Sequence, residues 1–257
     1  MTRKRRPFIC GNWKMNKGQD DTYNFIHDFL TKVKQSPRVK EREIGLAPVF
    51  TSLFIADSLL KHSEIKLCAQ NVHWEDSGQF TGEISAPMLK EFGVKYAIVG
   101  HSERRKFFGE TNNTVNIRVK ASLKNHLPVI MCVGETKEER EANRTKDIVR
   151  QQLLEGLKTV SQEDMLKSVV IAYEPVWAIG TGLNATVEQA IEVHQFIRGL
   201  LNEYFSPATG DVVRILYGGS VKPDNIDGFM ASEEIDGALV GGASLDIESF
   251  FRIVDFR

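Results

Sequence analysis

The stretch Ser168-Val-Val-Ile-Ala-Tyr-Glu-Pro-Val-Trp-Ala-Ile-Gly-Thr-Gly182 holds an apolar run, a carboxylate where that run stops, and a loop unusually rich in apolar side chains. Val169–Ala172 reads as a buried strand. The loop carries Val176, Trp177 and Ile179 between Pro175 and Gly180-Thr181-Gly182, so it is either packed core or a cover that closes over something. Beyond it, Val187, Ala190, Ile191, Ile197, Leu200 and Leu201 fall on one face of a helix spanning Thr186 to Leu201. Thr186 and Gln189 form its capping box. A further apolar run, Val213-Arg-Ile-Leu216, follows.

This strand, loop, helix and strand are one unit of a longer series. Apolar runs recur about every thirty residues: Phe8–Cys10, Ile44–Ala47, Ile65–Ala69, Tyr96–Val99, Val129–Val133, Val169–Ala172, Val213–Leu216 and Ala238–Val240. Eight strands alternating with helical stretches imply a parallel sheet, and eight units in 257 residues match the length of a closed (β/α)8 barrel. A doubly wound open sheet is the rival, because Gly180-Thr-Gly-Leu-Asn-Ala185 matches the dinucleotide pattern G-x-G-x-x-G/A. That match fails on context. Five residues separate Glu174 from Gly180, and the next strand ends in Tyr217-Gly-Gly219 rather than in a ribose-binding acid. No linker, repeat or low-complexity segment interrupts the chain, so a single domain is expected over residues 1–257, with residues 1–6 as a basic tail.

Lys+Arg 33 against Asp+Glu 34 leaves a formal net charge of -1, so no global field draws the chain to nucleic acid or to an anionic membrane. Arg3-Lys-Arg-Arg6 reads as a solvated tail rather than a nucleic-acid arm. Cys10, Cys68 and Cys132 form an odd set inside apolar runs, as reduced core thiols do, and no disulfide is expected. No apolar stretch reaches transmembrane length and the N-terminus lacks a signal-peptide core, so a cytoplasmic protein is expected. The six histidines show no ligand-like pairing with cysteine or carboxylate, and no metal is expected.

In a barrel the chemistry lies where strands end. Those positions hold Gly11-Asn-Trp-Lys-Met15, Gly100-His-Ser-Glu103, Glu174, Gly218-Gly-Ser220 and Gly241-Gly242. One lysine, one histidine and one glutamate thus converge on one face. Pro175 holds Glu174 extended at its strand tip, where an apolar lid that expels water would raise its pKa and strengthen it as a base. His101 precedes the polar first turn Ser102-Glu-Arg-Arg105, whose partial positive charge disfavours an imidazolium. Lys14 reads as a fixed cation, and the glycine pairs as a phosphate cradle.

Taken together these residues resemble the triosephosphate isomerase family along nearly the whole chain. Gly11-Asn-Trp-Lys-Met-Asn16, Ala69-Gln-Asn71, Phe80-Thr-Gly-Glu83, Val99-Gly-His-Ser-Glu-Arg-Arg105, Ala172–Gly182, Tyr217-Gly-Gly-Ser220 and Val240-Gly-Gly-Ala-Ser244 occur in the family's order. The resemblance implies a single (β/α)8 TIM barrel that interconverts dihydroxyacetone phosphate and D-glyceraldehyde 3-phosphate without a cofactor. A glutamate base beside a neutral histidine under a closing loop is a pattern for which this family is itself the standard example.

By resemblance, Glu174 is the base, His101 polarises the oxygens, and Lys14 and Asn12 hold the substrate and its developing charge. Gly180, Ser220, Gly241 and Gly242 grip the phosphate, Ser102 and Glu103 support the site, and residues 175–183 form the lid. A cytoplasmic homodimer of glycolysis and gluconeogenesis is implied, its loop from Asn71 to Glu83 reaching the partner through Thr81. Arg104 and Glu110 match a buried charge pair, and Cys132 matches a cysteine that packs beside the base. Leu183-Asn184 departs from the family's lid hinge and is expected to alter opening rates. Two other readings stay open on the residues: a Schiff-base aldolase using Lys14, and an inactive barrel serving as a binding protein.

Overall fold

The computed structural model describes residues 5–179 and 185–257. Its strands are β1 (Phe8–Asn12), β2 (Glu43–Ala47), β3 (Lys66–Ala69), β4 (Tyr96–Val99), β5 (Val129–Val133), β6 (Val169–Tyr173), β7 (Ile215–Tyr217) and β8 (Gly237–Val240). They close in sequence order into one barrel, every pairing parallel, with β1 hydrogen-bonded to both β2 and β8. The open-sheet alternative is thereby excluded. β7 starts two residues later than the apolar run suggests, because the Val213 amide donates back to the Thr209 carbonyl at 2.9 Å and closes the helix Pro207–Val212.

Alternate side chains divide each strand between two cores, as the pleat requires. Phe8, Cys10, Ala47, Cys68, Ile98, Ile130, Cys132, Val170, Ala172, Leu216 and Leu239 fill the barrel's interior. Ile9, Leu46, Ala69, Ile171, Tyr173 and Val240 face outward and pack under the helices. The helix Val187–Tyr204 is one of these, opened by the predicted box: the Gln189 amide donates to Thr186 Oγ1 and the Thr186 amide to Gln189 Oε1. Ala190, Ile197, Leu200 and Leu201 are buried, while Val187 and Ile191 lie at the edge of the apolar face.

The amino end of the barrel is plugged by polar groups that satisfy one another. Arg214 pairs with Glu43, Tyr96 OH donates to Glu43 at 2.9 Å, and Arg214 also donates to Tyr96 OH at 3.0 Å. Nearby, Asp236 accepts from Arg5 at 2.6 Å, from Arg198 at 2.8 Å and from the Ile215 amide at 2.9 Å. Arg5 is therefore an anchor, although the sequence places it in a solvated tail. Arg6 is anchored as well, donating to the Arg42 carbonyl at 2.7 Å. Among the described residues no helix is long and apolar enough to cross a membrane.

Candidate active site

At the carboxyl ends of the strands lies a cavity of about 350 Å³ lined by Asn12, Lys14, His101, Glu174, Ile179, Ser220, Gly241 and Gly242, with Lys222 and Gly218 beside them. Barrel closure thus joins residues spread from position 12 to position 242. Gly180, expected at the phosphate, the lid residues Thr181 and Gly182, and the hinge Leu183-Asn184 lie outside the described residues.

Glu174 sits one residue beyond β6 and is 2 % exposed. Its carboxylate accepts from the Ser102 amide at 2.9 Å, from Ser102 Oγ at 3.3 Å and from His101 Nε2 at 2.9 Å. A Cβ on Gly218 would come within 2.9 Å of Glu174 Cγ, so the glycine after β7 is what leaves this side chain room. Burial pushes the Glu174 pKa up, but the charge and hydrogen bond of His101, the Ser102 amide and Lys14 together bring it below its ordinary value. The elevated pKa expected from desolvation alone is therefore corrected for this arrangement. The carboxylate is dry, yet it is fully occupied by donors.

His101 caps the helix Ser102–Phe107, with Nδ1 accepting from the Glu103 amide at 3.3 Å. That contact leaves Nε2 as the donor to Glu174. Burial pushes the imidazole pKa down, but the charge and hydrogen bond of Glu174, with Glu103, outweigh it and raise the pKa above its ordinary value. The helix-end effect expected from the sequence is thus overridden while Glu174 stays in contact.

Lys14 follows β1 with a left-handed φ of 52°, which a side-chain-bearing residue holds only when its surroundings insist. Its amide donates to Asn12 Oδ1 at 3.1 Å, and its carbonyl accepts from Gln70 Nε2 at 2.7 Å. The ammonium reaches Glu103 at 2.6 Å and lies 3.7 Å from where a Cβ on Gly241 would stand. Lys14 is therefore a charged, anchored cation.

Cys132 is fully buried inside the barrel, and burial, then Glu174, push its thiol pKa well up, which suits packing rather than chemistry. Thr81 is exposed, and Glu83 lies 3.2 Å from His73 Nδ1, so neither belongs to the cavity. The Arg104–Glu110 pair is present, and Arg118 joins it at 3.5 Å while also donating to Asn71 at 3.1 Å. Among the described residues no cluster of three or more side chains is arranged to hold a metal ion.

Three contributors escaped the sequence reading. Gln70 also donates to the Ala47 carbonyl at 2.8 Å, so one amide ties β2 to the strained lysine. It stood in the quoted Ala69-Gln-Asn71, immediately after a strand. Glu135, fully buried, accepts from Trp177 Nε1 at 2.9 Å and from Tyr173 OH at 3.1 Å, tethering the start of the loop after β6. Burial raises its pKa against those donors. Its place just past β5 obeys the same strand-end rule that singled out Glu174. Arg118 lies mid-helix, and no sequence signal marks it.

A closed eight-stranded barrel with a buried carboxylate, an imidazole and an anchored ammonium around one cavity defines an enzyme of the (β/α)8 class whose mouth is equipped for proton transfer. A family profile described as triosephosphate isomerase matches residues 7–257. Relatives of that description from Alkaliphilus metalliredigens and Caldanaerobacter subterraneus are 49% and 50% identical over 252 residues, 98% of this chain and 100% of theirs. The crystal structure of triosephosphate isomerase from Bartonella henselae superposes with a TM-score of 0.87 at 37% identity, covering 97% of this chain and 98% of that one. The chain belongs to the triosephosphate isomerase family.

Proposed function

We propose that this mouth interconverts dihydroxyacetone phosphate and D-glyceraldehyde 3-phosphate through an enediolate, with Glu174 as the base. The observation that carries the reading is the contact of Glu174 with His101 Nε2 at 2.9 Å inside the cavity that also holds Lys14. A substrate carbonyl oxygen would compete for the same Nε2 donor. As it takes that donor, Glu174 is freed from His101 and, by leaving Ser102, from its remaining partners. Burial is then opposed by the charge of Lys14 alone and strengthens the base when a proton is to be taken. Glu174 removes a proton from C1 while the C2 oxygen gains charge against His101 and Lys14; His101 Nε2 gives that oxygen a proton and recovers one from the C1 hydroxyl, and Glu174 returns its proton at C2, which leaves the aldehyde at C1.

The phosphate would lie against Ser220, Gly241 and Gly242, with Asn12 and Lys14 on the opposite side of the substrate. Ser102 and Glu103 hold Glu174 and Lys14 in readiness. Residues 175–183 act as the lid, and the apolar side chains that open it dock it against water. The Lys14 ammonium is held by Glu103 at 2.6 Å, which disfavours the Schiff-base aldolase, since that needs an amine free to attack a carbonyl carbon. The loop of residues 71–83, with Phe80 40% exposed, supports a homodimer in which Thr81 reaches the partner. A cytoplasmic role in glycolysis and gluconeogenesis follows from the reaction, and a single domain over residues 1–257 fits the unbroken barrel.

The test is to supply dihydroxyacetone phosphate and follow glyceraldehyde 3-phosphate through a coupled dehydrogenase. Turnover that disappears in Glu174→Gln supports the reading; a folded wild type without turnover refutes it.

A further inference from the structure

One charged residue at the cavity has no part in the proton transfer. Lys222 lines the same cavity as Lys14, His101 and Glu174 and is exposed at its rim. Its backbone is held in place: the Lys222 amide donates to Asn225 Oδ1 at 2.8 Å, and Asn225 Nδ2 donates to the Ser220 carbonyl at 3.0 Å. One amide side chain thus staples residues 220–222 into a fixed turn. Among the described residues no carboxylate, Asp224 included, comes within ion-pair distance of the Lys222 ammonium.

The other charges at the mouth are already matched or negative. Lys14 is bound to Glu103 at 2.6 Å, and Glu174 remains as a carboxylate against His101. A triose phosphate dianion approaching a mouth so composed would meet no net attraction. Lys222 supplies the missing positive charge, on the side where Ser220, Gly241 and Gly242 would receive the phosphate. An uncompensated charge at the rim of a low-dielectric cleft acts on the rate of encounter more than on the chemistry.

We propose that Lys222 is the electrostatic guide of this site, drawing in the phosphate dianion and favouring dianionic trioses over less charged ones. The proposal rests on the isomerase reading above and makes Lys222 a specificity-determining residue that takes no part in bond making.

The experiment measures kcat and kcat/KM of wild type, Lys222→Gln and Lys222→Met with glyceraldehyde 3-phosphate across ionic strength. For this direction encounter limits the rate, triosephosphate isomerase being itself the standard case. At low salt both variants should lose about 3–10-fold in kcat/KM, a single lysine's share of electrostatic steering. The loss should be confined to kcat/KM and close near 1 M salt, where screening extends only about 3 Å. Competing inorganic phosphate, titrated calorimetrically at a pH where it is the dianion, should bind correspondingly more weakly to both variants at low salt. Variants equal to wild type at low salt, or a loss that persists at high salt, overturn the proposal. A wild type that does not isomerise refutes the functional reading instead, and the phosphate titration then still decides the role of Lys222.

Discussion

The two ends of the barrel both bury charge, and they treat it in opposite ways. At the amino end, Asp236 is held by Arg5, Arg198 and the Ile215 amide, and Glu43 by Arg214 and Tyr96. None of those partners lines the cavity at the other end, so no ligand there can take them over. At the carboxyl end, Glu174 is held by His101 and Ser102, and Lys14 by Glu103. Here Glu174, His101 and Lys14 line a cavity in which a ligand can compete for their contacts. A buried charge with permanent partners maintains the fold. One whose partners a substrate can take over is available for chemistry.

The sharpest way to break this contrast is Glu174→Gln, expected to lower kcat by at least about 10²–10⁴-fold with a smaller effect on KM. Coupled-assay kinetics beside thermal unfolding would check it, and a variant that lost stability while keeping turnover would make the mouth resemble the plug. Asp236→Ala is the mirror case. It takes a shared carboxylate from Arg5, Arg198 and the Ile215 amide, leaving Arg198 with Glu234 as its anion, and should cost about 3–5 kcal/mol in urea unfolding while the remaining folded molecules turn over normally.

Lys14→Ala tests whether the mouth's cation contributes to binding and chemistry together. It should raise KM and lower kcat, with a combined loss of about 10²–10³-fold in kcat/KM. An increase in KM alone would reduce Lys14 to a binding contact.

The smallest effect concerns His194, buried beside Tyr173, with Nδ1 3.3 Å from the Glu234 carbonyl. Burial lowers its pKa from 6.5 to about 3. Between those values the unfolded chain binds a proton that the native state refuses, so stability rises with pH and is lost as pH falls. His194→Gln should remove that contribution, at most about 1.4 kcal/mol per pH unit, from the difference in acid-unfolding slopes. An unchanged slope would mean that the native site admits the proton.

Much of this was legible in the residues themselves. Eight apolar runs at even spacing define a barrel, because a parallel strand covered on both faces must be apolar throughout. The same property hides which way each side chain points. Nothing in Val169-Val-Ile-Ala172 distinguishes Val170 and Ala172, inside the barrel, from Ile171 beneath the helices. Glu174, His101, Lys14, Ser220 and Gly241 were legible because they stand where strands stop, and closure alone carries such positions to one cavity.

Protonation and pairing followed from tertiary structure alone. The sequence argued for a Glu174 with a raised pKa and a His101 with a lowered one, from desolvation and a helix end that each act locally. Barrel closure put the two side chains 2.9 Å apart and reversed both shifts. It also brought Glu103 to Lys14 across 89 positions of chain and left Lys222 without a counter-charge among the described residues. The strand pattern depends on apolar periodicity, which is written along the chain. The charge state of the site depends on distances of a few ångströms between segments far apart in sequence, and those distances exist only once the barrel has closed.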